Sequence, residues 1–277
     1  MKILRKFGMA MMSVLMGISL VSCSKENDPT KEGDENSDSI KKLTQFLDVT
    51  DAESEYGWIL SYDTNGKLKE AQFKGVEGGS YTETYKFSWD SNIINIRNTP
   101  PYTYAYTVED GVIESYKEND SNTSYCYNYL YFSGRLEKIN RGLDSFGKTQ
   151  YTTAVWDEDK LVEITNSNTG TSEFSSQTKI SYGESCKNGY CPLIPYLISF
   201  SIDSQNGSLP HIFLYMAHPE LIGARSTQLP NTVTTTDRWG DIENENITYE
   251  FDNDGYISKI KIINSKYGAY AYTLTWE

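Results

Sequence analysis

The chain has 277 residues, with 38 acidic and 25 basic side chains and a formal net charge of −13 at pH 7. This acidity argues against nucleic-acid binding, which needs clustered Lys and Arg for the phosphates, and against docking on an anionic surface. Tyrosine is abundant, with 22 residues beside 5 Trp and 10 Phe, and the composition favours strands and turns over helices.

The N-terminus has the parts of a bacterial lipoprotein signal. Residues 1–22 begin with a positive segment and continue with an apolar run that ends in "LVSC". The run is short for a membrane-spanning helix, which needs about 20 apolar residues. "LVSC" resembles the lipobox, in which the cysteine becomes the acylated N-terminus. The pattern predicts a signal peptide over residues 1–22 and lipidation of Cys23; the alternative is a buried cysteine beside an ordinary signal peptide.

The lipidated Cys23 and the segment "SKENDPTKEGDENSDS" after it are predicted to form a flexible acidic tether over residues 23–39. The segment has no large apolar residue with which to offset its ordering entropy. Acidic residues soon after a lipidated cysteine resemble the surface-export signal of Bacteroidota lipoproteins, although Lys25 and Asn27 interrupt the run. The resemblance implies an outer-membrane lipoprotein that faces the periplasm or the cell surface. Its partner is the membrane, to which the lipid on Cys23 anchors it.

Residues 40–277 are predicted to form a single β-rich domain, and the first predicted element in it is a helix. Ser39 is its expected N-cap, and the apolar residues that follow share one helical stripe. These residues are Ile40, Leu43, Phe46 and Leu47. We expect this helix to cover a sheet edge. A second helix is predicted near residues 212–222, with an interruption at Pro219.

A local pattern recurs along the domain: an aromatic or apolar strand end, a turn of Asp, Asn, Ser or Gly, and an apolar residue that restarts the alternation. The copies are "SYDTNGKL" (61–68), "FSWDSNIINI" (87–96), "TVEDGVI" (107–113), "YLYFSGRL" (129–136), "VWDEDKLVEI" (155–164) and "YEFDNDGYISKIKI" (249–262). The last copy also suggests a calcium loop, but Gly255 comes too early and Ile263 stands where the final Glu ligand belongs. We therefore predict hairpin turns.

The segment "CKNGYC" at residues 186–191 predicts a disulfide. Asn188-Gly189 is a strong two-residue hairpin signal, and it would place Cys186 opposite Cys191 in a non-hydrogen-bonded pair. That spacing and an oxidising compartment favour a bridge between the two. Cys126 is left over and is predicted to be buried.

No metal site and no cofactor are predicted. His211 and His218 are the only histidines, and Pro219 disturbs the helix on which they would share a face. A zinc site also needs further ligands, which the cysteine spacing does not supply. An ordinary packing or surface role for the two histidines is the favoured interpretation.

The turn copies resemble the tyrosine–aspartate repeats that build curled β-shells in secreted toxin carriers. The wider pattern adds the lipoprotein signal, the segment "LPHIFLYMAHPELIGARSTQLPNTV" and the closing "YAYTLTWE". Together these features resemble a family of Bacteroidota lipoproteins defined by a domain of unknown function with a porin-like fold. The resemblance implies an all-β, large curled or barrel-like, mainly antiparallel meander of hairpins with one or two short helices. It carries no catalytic residues.

Period-two alternation places tyrosines on one face of several predicted strands. Two interpretations stay open: the rings fill a core or barrel interior, or they form a sugar- or peptide-binding surface, because rings stack on apolar sugar faces while hydroxyls hydrogen-bond. The candidate ligand-binding residues are Tyr102, Tyr104, Tyr106, Tyr125, Tyr127, Tyr129 and Trp89. Another co-facial set closes the chain with Tyr270, Tyr272, Leu274 and Trp276.

Three functions are compatible with these patterns. The first is a non-enzymatic binding or accessory module for a glycan or peptide, which the tyrosine face motivates. The second is a polysaccharide hydrolase with two carboxylates from separate strands, a pair that leaves no local signature. The third is a structural component of the envelope. No nucleophile elbow, phosphate-binding loop, zinc-protease motif or dinucleotide fingerprint is present in the sequence.

Replacing Cys23 with serine should remove the acylated thiol, so the chain should lose its lipid. The measurement is the mass of the mature N-terminal peptide, together with the distribution of the chain between membrane and soluble fractions. Ser22→Ala is the matched control, because it keeps a small residue before the cysteine. A mature wild-type N-terminal peptide without an acyl mass on Cys23 would contradict the assignment.

Overall fold

The computed structural model describes residues 41–51, 54–74, 83–98, 103–119, 124–141, 150–168, 174–203 and 210–277. Within these residues sixteen strands form a closed barrel, in which every strand pairs antiparallel with its neighbours in sequence and the first strand pairs with the last. The strands are β1 (Leu43–Asp51), β2 (Ser54–Tyr62), β3 (Leu68–Lys74), β4 (Thr84–Asp90), β5 (Ile93–Arg97), β6 (Thr103–Glu109), β7 (Val112–Asn119), β8 (Ser124–Phe132), β9 (Arg135–Arg141), β10 (Gln150–Asp157), β11 (Lys160–Asn168), β12 (Phe174–Ser185), β13 (Gln228–Asp237), β14 (Ile242–Phe251), β15 (Ile257–Asn264) and β16 (Gly268–Trp276). The predicted all-β meander of hairpins is confirmed.

The barrel has an apolar interior and a mainly polar outer wall. On β8, Tyr127 and Tyr129 are buried inside, whereas Cys126, Asn128 and Leu130 are exposed outside. The same alternation leaves many charged, amide and hydroxyl side chains on the outer wall, among them Lys86, Ser88, Arg97, Lys117, Glu137, Lys179, Asn244, Asn246, Thr248 and Lys261. The prediction that Cys126 is buried was wrong, because this residue occupies an outward position of its strand.

Three turns share the sequence Asp-x-x-Gly-x and the same hydrogen bonds. Between β14 and β15, the Asp252 carboxylate accepts two backbone N–H groups, one of them from Tyr256 at 2.9 Å. The N–H of Gly255 donates to the Asp252 carbonyl at 3.1 Å, and its φ of +84° favours glycine. The turns at residues 63–67 and 237–241 repeat these contacts. The acids in "DNDG" therefore form a hairpin turn, as predicted.

The remaining copies of the pattern are two-residue hairpin turns. The flanking strands pair up to the turn in each case, and the first turn residue has a positive φ, as tight hairpins require. These first residues are Ser91, Asp110, Ser133 and Glu158. The six turns between β2–β3, β4–β5, β6–β7, β8–β9, β10–β11 and β14–β15 all lie at one end of the barrel, which we call the short-turn end.

The helix predicted at the start of the domain is instead strand β1. Leu43, Phe46 and Leu47 are buried, but a bulge between Leu43 and Gln45 lets a strand bury residues spaced as on a helix. Ile40 and the cap Ser39 lie outside the described residues. Pairing with both β2 and β16 decides the outcome, because β1 closes the barrel and so removes the edge that a helix was expected to cover.

A helical insert between β12 and β13 fills part of the barrel interior. It contains α1 (Leu193–Asp203), α2 (Pro210–Ala217) and a 3-10 helix (Pro219–Ile222). α2 and the 3-10 helix confirm the predicted helix with a break at Pro219. The helix α1 was not predicted. No helix among the described residues is long and apolar enough to cross a membrane.

The insert packs against the aromatic wall of the barrel. The ring of Phe213 on α2 has its centroid 3.7 Å from that of Trp58, and the Tyr215 hydroxyl lies 2.6 Å from that of Tyr129. Residues 213–216 are all buried, so α2 contributes its whole circumference to the core. A helix that is apolar all round is typical of a fully enclosed position.

Polar contacts fix the end of the insert to the short-turn end. His218 Nε2 accepts the backbone N–H of Leu68 at 3.1 Å, and Arg135 donates to the carbonyl of Gly223 at 3.1 Å. Gly223 has φ +60°, and a Cβ there would lie 2.1 Å from the backbone oxygen of Gly134 in the β8–β9 turn. Glycine at this position is therefore needed for both conformation and space.

Gly223→Ala should destabilise the protein by roughly 3 kcal/mol or more, because the added methyl group forces the insert and the β8–β9 turn apart. Gly111→Ala is the control. It also has a positive φ, +82°, but a Cβ there meets nothing within 4 Å, so only about 1–2 kcal/mol of backbone strain is expected. Urea unfolding of both variants provides the measurement. Equal losses would show that the close approach at Gly223 contributes nothing.

Candidate functional site

A cavity of about 1080 Å³, the large cavity, lies at the barrel end opposite the short turns. Leu193, Tyr196 and Leu197 of α1 line one side of it, and strands β11–β16, β1 and β2 supply the rest of the wall. The polar lining residues include Asp48, Thr50, Asn166, Ser176, Thr178, Thr235, Arg238, Glu243, Glu245 and Asn264. The aromatic lining residues are Tyr56, Tyr196, Trp239, Tyr267, Tyr270 and Tyr272.

A carboxylate pair on β14 forms one polar centre of the large cavity. Glu243 and Glu245 are two residues apart and face inward, and Asn264 stands opposite on β15. The Asn264 amide donates to Glu243 at 2.5 Å and to Glu245 at 3.0 Å, and the Tyr270 hydroxyl also donates to Glu245. Burial and the bond to Glu245 raise the pKa of Tyr270, so its hydroxyl stays protonated. Each carboxylate keeps oxygen lone pairs for a ligand donor.

A second centre surrounds Asp48 near the end of β1. Its carboxylate accepts the Tyr56 hydroxyl at 2.9 Å and the backbone N–H of Thr50 at 2.8 Å. The hydrogen bond to Asp48 raises the pKa of Tyr56. Burial raises the pKa of Tyr272, whose ring stacks on Phe46 at 4.7 Å. The aromatic side of the large cavity therefore presents neutral hydroxyl groups at physiological pH.

Hydroxyl and amide groups line the side of the large cavity formed by β11, β12 and β13. The Asn166 amide donates to the Ser176 hydroxyl at 3.0 Å, and the hydroxyls of Thr178 and Thr235 are 3.0 Å apart. These cross-strand contacts follow from the inward positions of the four side chains in paired strands. They hold uncharged donors and acceptors in fixed positions.

Trp239 stands at the mouth of the large cavity on the β13–β14 turn. The Asp237 carboxylate holds this turn by accepting the N–H groups of Trp239 and Asp241, both at 2.9 Å. The Arg238 guanidinium carbon lies 4.0 Å from the indole ring centre. Trp239 is 73% exposed, so one ring face remains available for stacking.

The predicted tyrosine surface is part of the core and does not line the large cavity. Tyr104, Tyr106, Tyr127 and Tyr129 are each at most 5% exposed, because α2 and neighbouring rings cover them. These four rings therefore lie in the barrel interior and are not open to solvent.

The other three candidates are placed differently. Tyr102 lies outside the described residues, and Tyr125 belongs to β8 but its side chain is not described. Trp89 faces inward and donates its indole N–H to the carbonyl of Leu68 at 2.7 Å. It lines a smaller cavity of about 430 Å³ at the short-turn end.

Sequence reasoning missed most residues of the large cavity. Of the residues that line the large cavity, the sequence pattern singled out only Tyr270 and Tyr272, as members of a co-facial set. Trp239 carries a usable signal, since it is the central residue of "DRWGD", a further copy of the Asp-x-x-Gly-x turn that exposes its second and third residues. Glu243 and Glu245 have no such signal, because alternating acids on a strand are equally typical of a solvent-facing wall.

The segment "CKNGYC" does not form the predicted two-stranded hairpin. β12 ends at Ser185, and the backbone N–H groups of Cys186 and Cys191 donate to the carbonyls of Thr227 and Ser226, at 2.8 Å each. The beginning of the insert thus pairs with its end. Both thiols are free and buried in the structure. The disulfide stays a prediction, but the hairpin register from which it was predicted is not present.

The histidines have no metal-site geometry in the described part of the chain, where no group of three or more His, Cys, Asp or Glu side chains is placed to hold an ion. His218 accepts from Leu68 and contacts the Glu220 carboxylate through Nδ1 at 2.9 Å. The side chain of His211 is not described. His218 thus has a packing role, as favoured from the sequence.

Two solved structures share this fold. A porin-like protein from Bacteroides uniformis ATCC 8492 is 14% identical with a TM-score of 0.63, and the match covers 85% of this chain and 96% of that chain. A porin-like protein from Bacteroides vulgatus ATCC 8482 is 15% identical with a TM-score of 0.58, covering 85% and 98%. No protein-family model and no curated protein matches the chain. The similarity bears out the porin-like fold that the sequence resemblance implied.

Alkylation of the native protein with N-ethylmaleimide should label Cys126 and spare Cys186 and Cys191. Cys126 is exposed, whereas burial raises the pKa of the Cys191 thiol to about 12 and also raises that of Cys186. Peptide mass mapping gives the label at each site. Unfolding in urea without reductant then tests the disulfide: protection of Cys186 and Cys191 there supports the bridge, and full labelling contradicts it.

Proposed function

We propose that the protein is a lipid-anchored outer-membrane protein whose barrel stands in water and binds a glycan in the large cavity. The observation that carries this proposal is the large cavity itself, an open space of about 1080 Å³ lined by carboxylates, amides, hydroxyls and aromatic rings. The anchor is the lipid predicted on Cys23, after a signal peptide over residues 1–22. The proposed glycan site is the lining of the large cavity, which is a different set of residues from the tyrosine surface of the sequence-based hypothesis.

The polarity of the wall supports a barrel outside the bilayer. Barrels that span a membrane have an outward apolar band about 25 Å tall and a polar interior. Here the mid-strand outer positions carry residues such as Lys86, Asn128 and Asn246, while the interior holds Ile, Leu and Tyr. Moving such lysines into a bilayer midplane would cost roughly 2–4 kcal/mol each. A lipid on the N-terminus gives membrane attachment without that cost.

The chemistry of the large cavity supports a glycan. Sugar hydroxyls both donate and accept hydrogen bonds, and the lining offers acceptors on Asp48, Glu243 and Glu245. Neutral hydroxyl groups on Tyr56 and Tyr270 add further hydrogen-bonding positions. The exposed ring of Trp239 offers a stacking platform for the apolar face of a pyranose ring. The volume is at the upper end of small-ligand sites, which fits an oligosaccharide of a few residues.

The proposal includes no catalytic step. Glycoside hydrolases place two carboxyl groups on opposite sides of the scissile bond. Glu243 and Glu245 instead stand on one strand and are held by one amide, that of Asn264. This arrangement suits hydrogen bonding to one side of a bound sugar.

The test is binding of the purified mature chain to an array of plant, host and bacterial glycans. Trp239→Ala should weaken binding to the selected glycan roughly tenfold, because it removes one stacking contact of a binding hot spot. Phe132→Ala is the matched control, since Phe132 is equally exposed, at 72%, but lies at the short-turn end. Neither variant should change the melting temperature by more than a few degrees.

Absence of binding across the array, or an equal loss in Trp239→Ala and Phe132→Ala, would contradict the proposal. Incubation of the selected glycan with the protein, followed by detection of reducing ends, separates binding from hydrolysis. Release of sugar would replace the binding function by the hydrolase of the sequence analysis.

A further inference from the structure

The smaller cavity at the short-turn end differs in charge from the rest of the chain. It has a volume of about 430 Å³, and its lining includes four cationic side chains but one carboxylate, that of Glu220. The cationic residues are Lys41, Lys42, Lys67 and Arg225. The whole chain has a formal net charge of −13, so a positive cavity in this protein needs an explanation. We call it the cationic cavity.

Three of these cations lie against aromatic rings. Lys42 Nζ lies 5.3 Å from the ring centre of Tyr62, Lys67 Nζ lies 5.2 Å from that of Trp89, and the Arg225 guanidinium carbon lies 6.0 Å from that of Tyr190. None of the three forms an ion pair within the described part of the chain. Ring contacts hold a cation in place but leave its N–H donors unused.

The fourth cation and the carboxylate of the cationic cavity have partners. Lys41 forms an ion pair with Asp254 at 2.7 Å, in the β14–β15 turn. Glu220 contacts His218 Nδ1 at 2.9 Å, and His218 Nε2 accepts from Leu68. Since Nε2 is an acceptor, the His218 proton lies on Nδ1 and is donated to Glu220. Glu220 is therefore hydrogen-bonded within the insert. It also attracts the Arg225 guanidinium, but a single carboxylate leaves the three remaining cations with an excess of positive charge.

We propose that the cationic cavity binds a phosphate group. A phosphate carries up to two negative charges and several strong acceptor oxygens, which match two ammonium groups and one guanidinium fork. The indole of Trp89 and the backbone at Asn65-Gly66 form a wall of the cationic cavity, against which the rest of the phosphate-bearing molecule packs. The phosphate has two possible sources, a soluble phosphate ester or a phospholipid headgroup, and the experiment distinguishes them.

The experiment measures binding of inorganic phosphate and inorganic pyrophosphate to the purified mature chain by isothermal titration calorimetry. The triple variant Lys42→Gln, Lys67→Gln, Arg225→Gln should bind at least tenfold more weakly, because hydrogen bonds to charged groups each change affinity by about that factor. Lys69→Gln, Lys117→Gln, Lys179→Gln is the matched control. It removes the same charge from exposed outer-wall positions and should bind like the wild type.

Sedimentation with phosphatidylglycerol and phosphatidylcholine vesicles identifies the source, with each variant prepared on a Cys23→Ala background without residues 1–22, so that no lipid on Cys23 attaches the chain to the vesicles. Saturable binding of inorganic phosphate or pyrophosphate without vesicle binding assigns a soluble ester. Binding to phosphatidylglycerol vesicles that the cavity triple variant loses and the control triple variant keeps assigns a lipid headgroup. The proposal is overturned if inorganic phosphate, pyrophosphate and phosphatidylglycerol vesicles all fail to bind, or if the two triple variants lose binding equally. Thermal unfolding of each variant verifies the fold, and glycan binding at the large cavity should be unchanged.

Discussion

The structure depends on one constraint: a closed sixteen-strand barrel whose inward side chains are mostly apolar has to be filled. Barrels of about this strand number normally enclose an aqueous channel, because inward side chains cannot reach across the interior. Here Tyr, Ile and Leu point inward, so an unfilled interior would expose a large apolar surface to water. The insert between β12 and β13 supplies the missing volume. Its buried residues and the wall tyrosines form one continuous core.

The filling is unequal, and this asymmetry produces the two cavities. α2 packs on the aromatic wall around Trp58, Tyr106 and Tyr129. α1 packs on the other part of the wall, where Tyr196 meets Phe46, and leaves the large cavity open. The two ends also differ in charge. Carboxylates surround the large cavity, and lysines and an arginine surround the cationic cavity. One chain therefore contains two cavities of opposite electrostatic character.

Local sequence predicted the turns and the alternation but not the closure. Asp252 and Gly255 fix their turn through contacts within five residues, so the sequence of the turn determines it. Residue Leu43 shows the opposite case, because its strand pairing with Trp276 joins the two ends of the domain. The helical stripe after Ser39 carried no information about that partner. Long-range pairing of this kind overrides local propensity.

The tyrosine faces illustrate a second limit of sequence reasoning. Tyr129 and Tyr272 both alternate inward, and the pattern does not distinguish them. Their roles differ because α2 covers Tyr129, whereas Tyr272 faces the large cavity beside α1. The position of an insert some tens of residues away in sequence decides which rings are core and which line a site. α1 itself was missed because its apolar residues lack the one-sided stripe by which a surface helix is recognised.

The most direct test of the account is the solvent accessibility of the outer wall in the lipid-anchored protein. Lys86→Cys and Asn246→Cys, each on a Cys126→Ser background, place a thiol at outward mid-strand positions on opposite parts of the barrel. The lipidated protein in liposomes is treated with a membrane-impermeant maleimide, and labelling rates are compared with those in detergent. A wall that stands in water should give the same labelling rates in liposomes and in detergent. Protection of both thiols in liposomes, with labelling only in detergent, would place the wall in the bilayer and contradict the account.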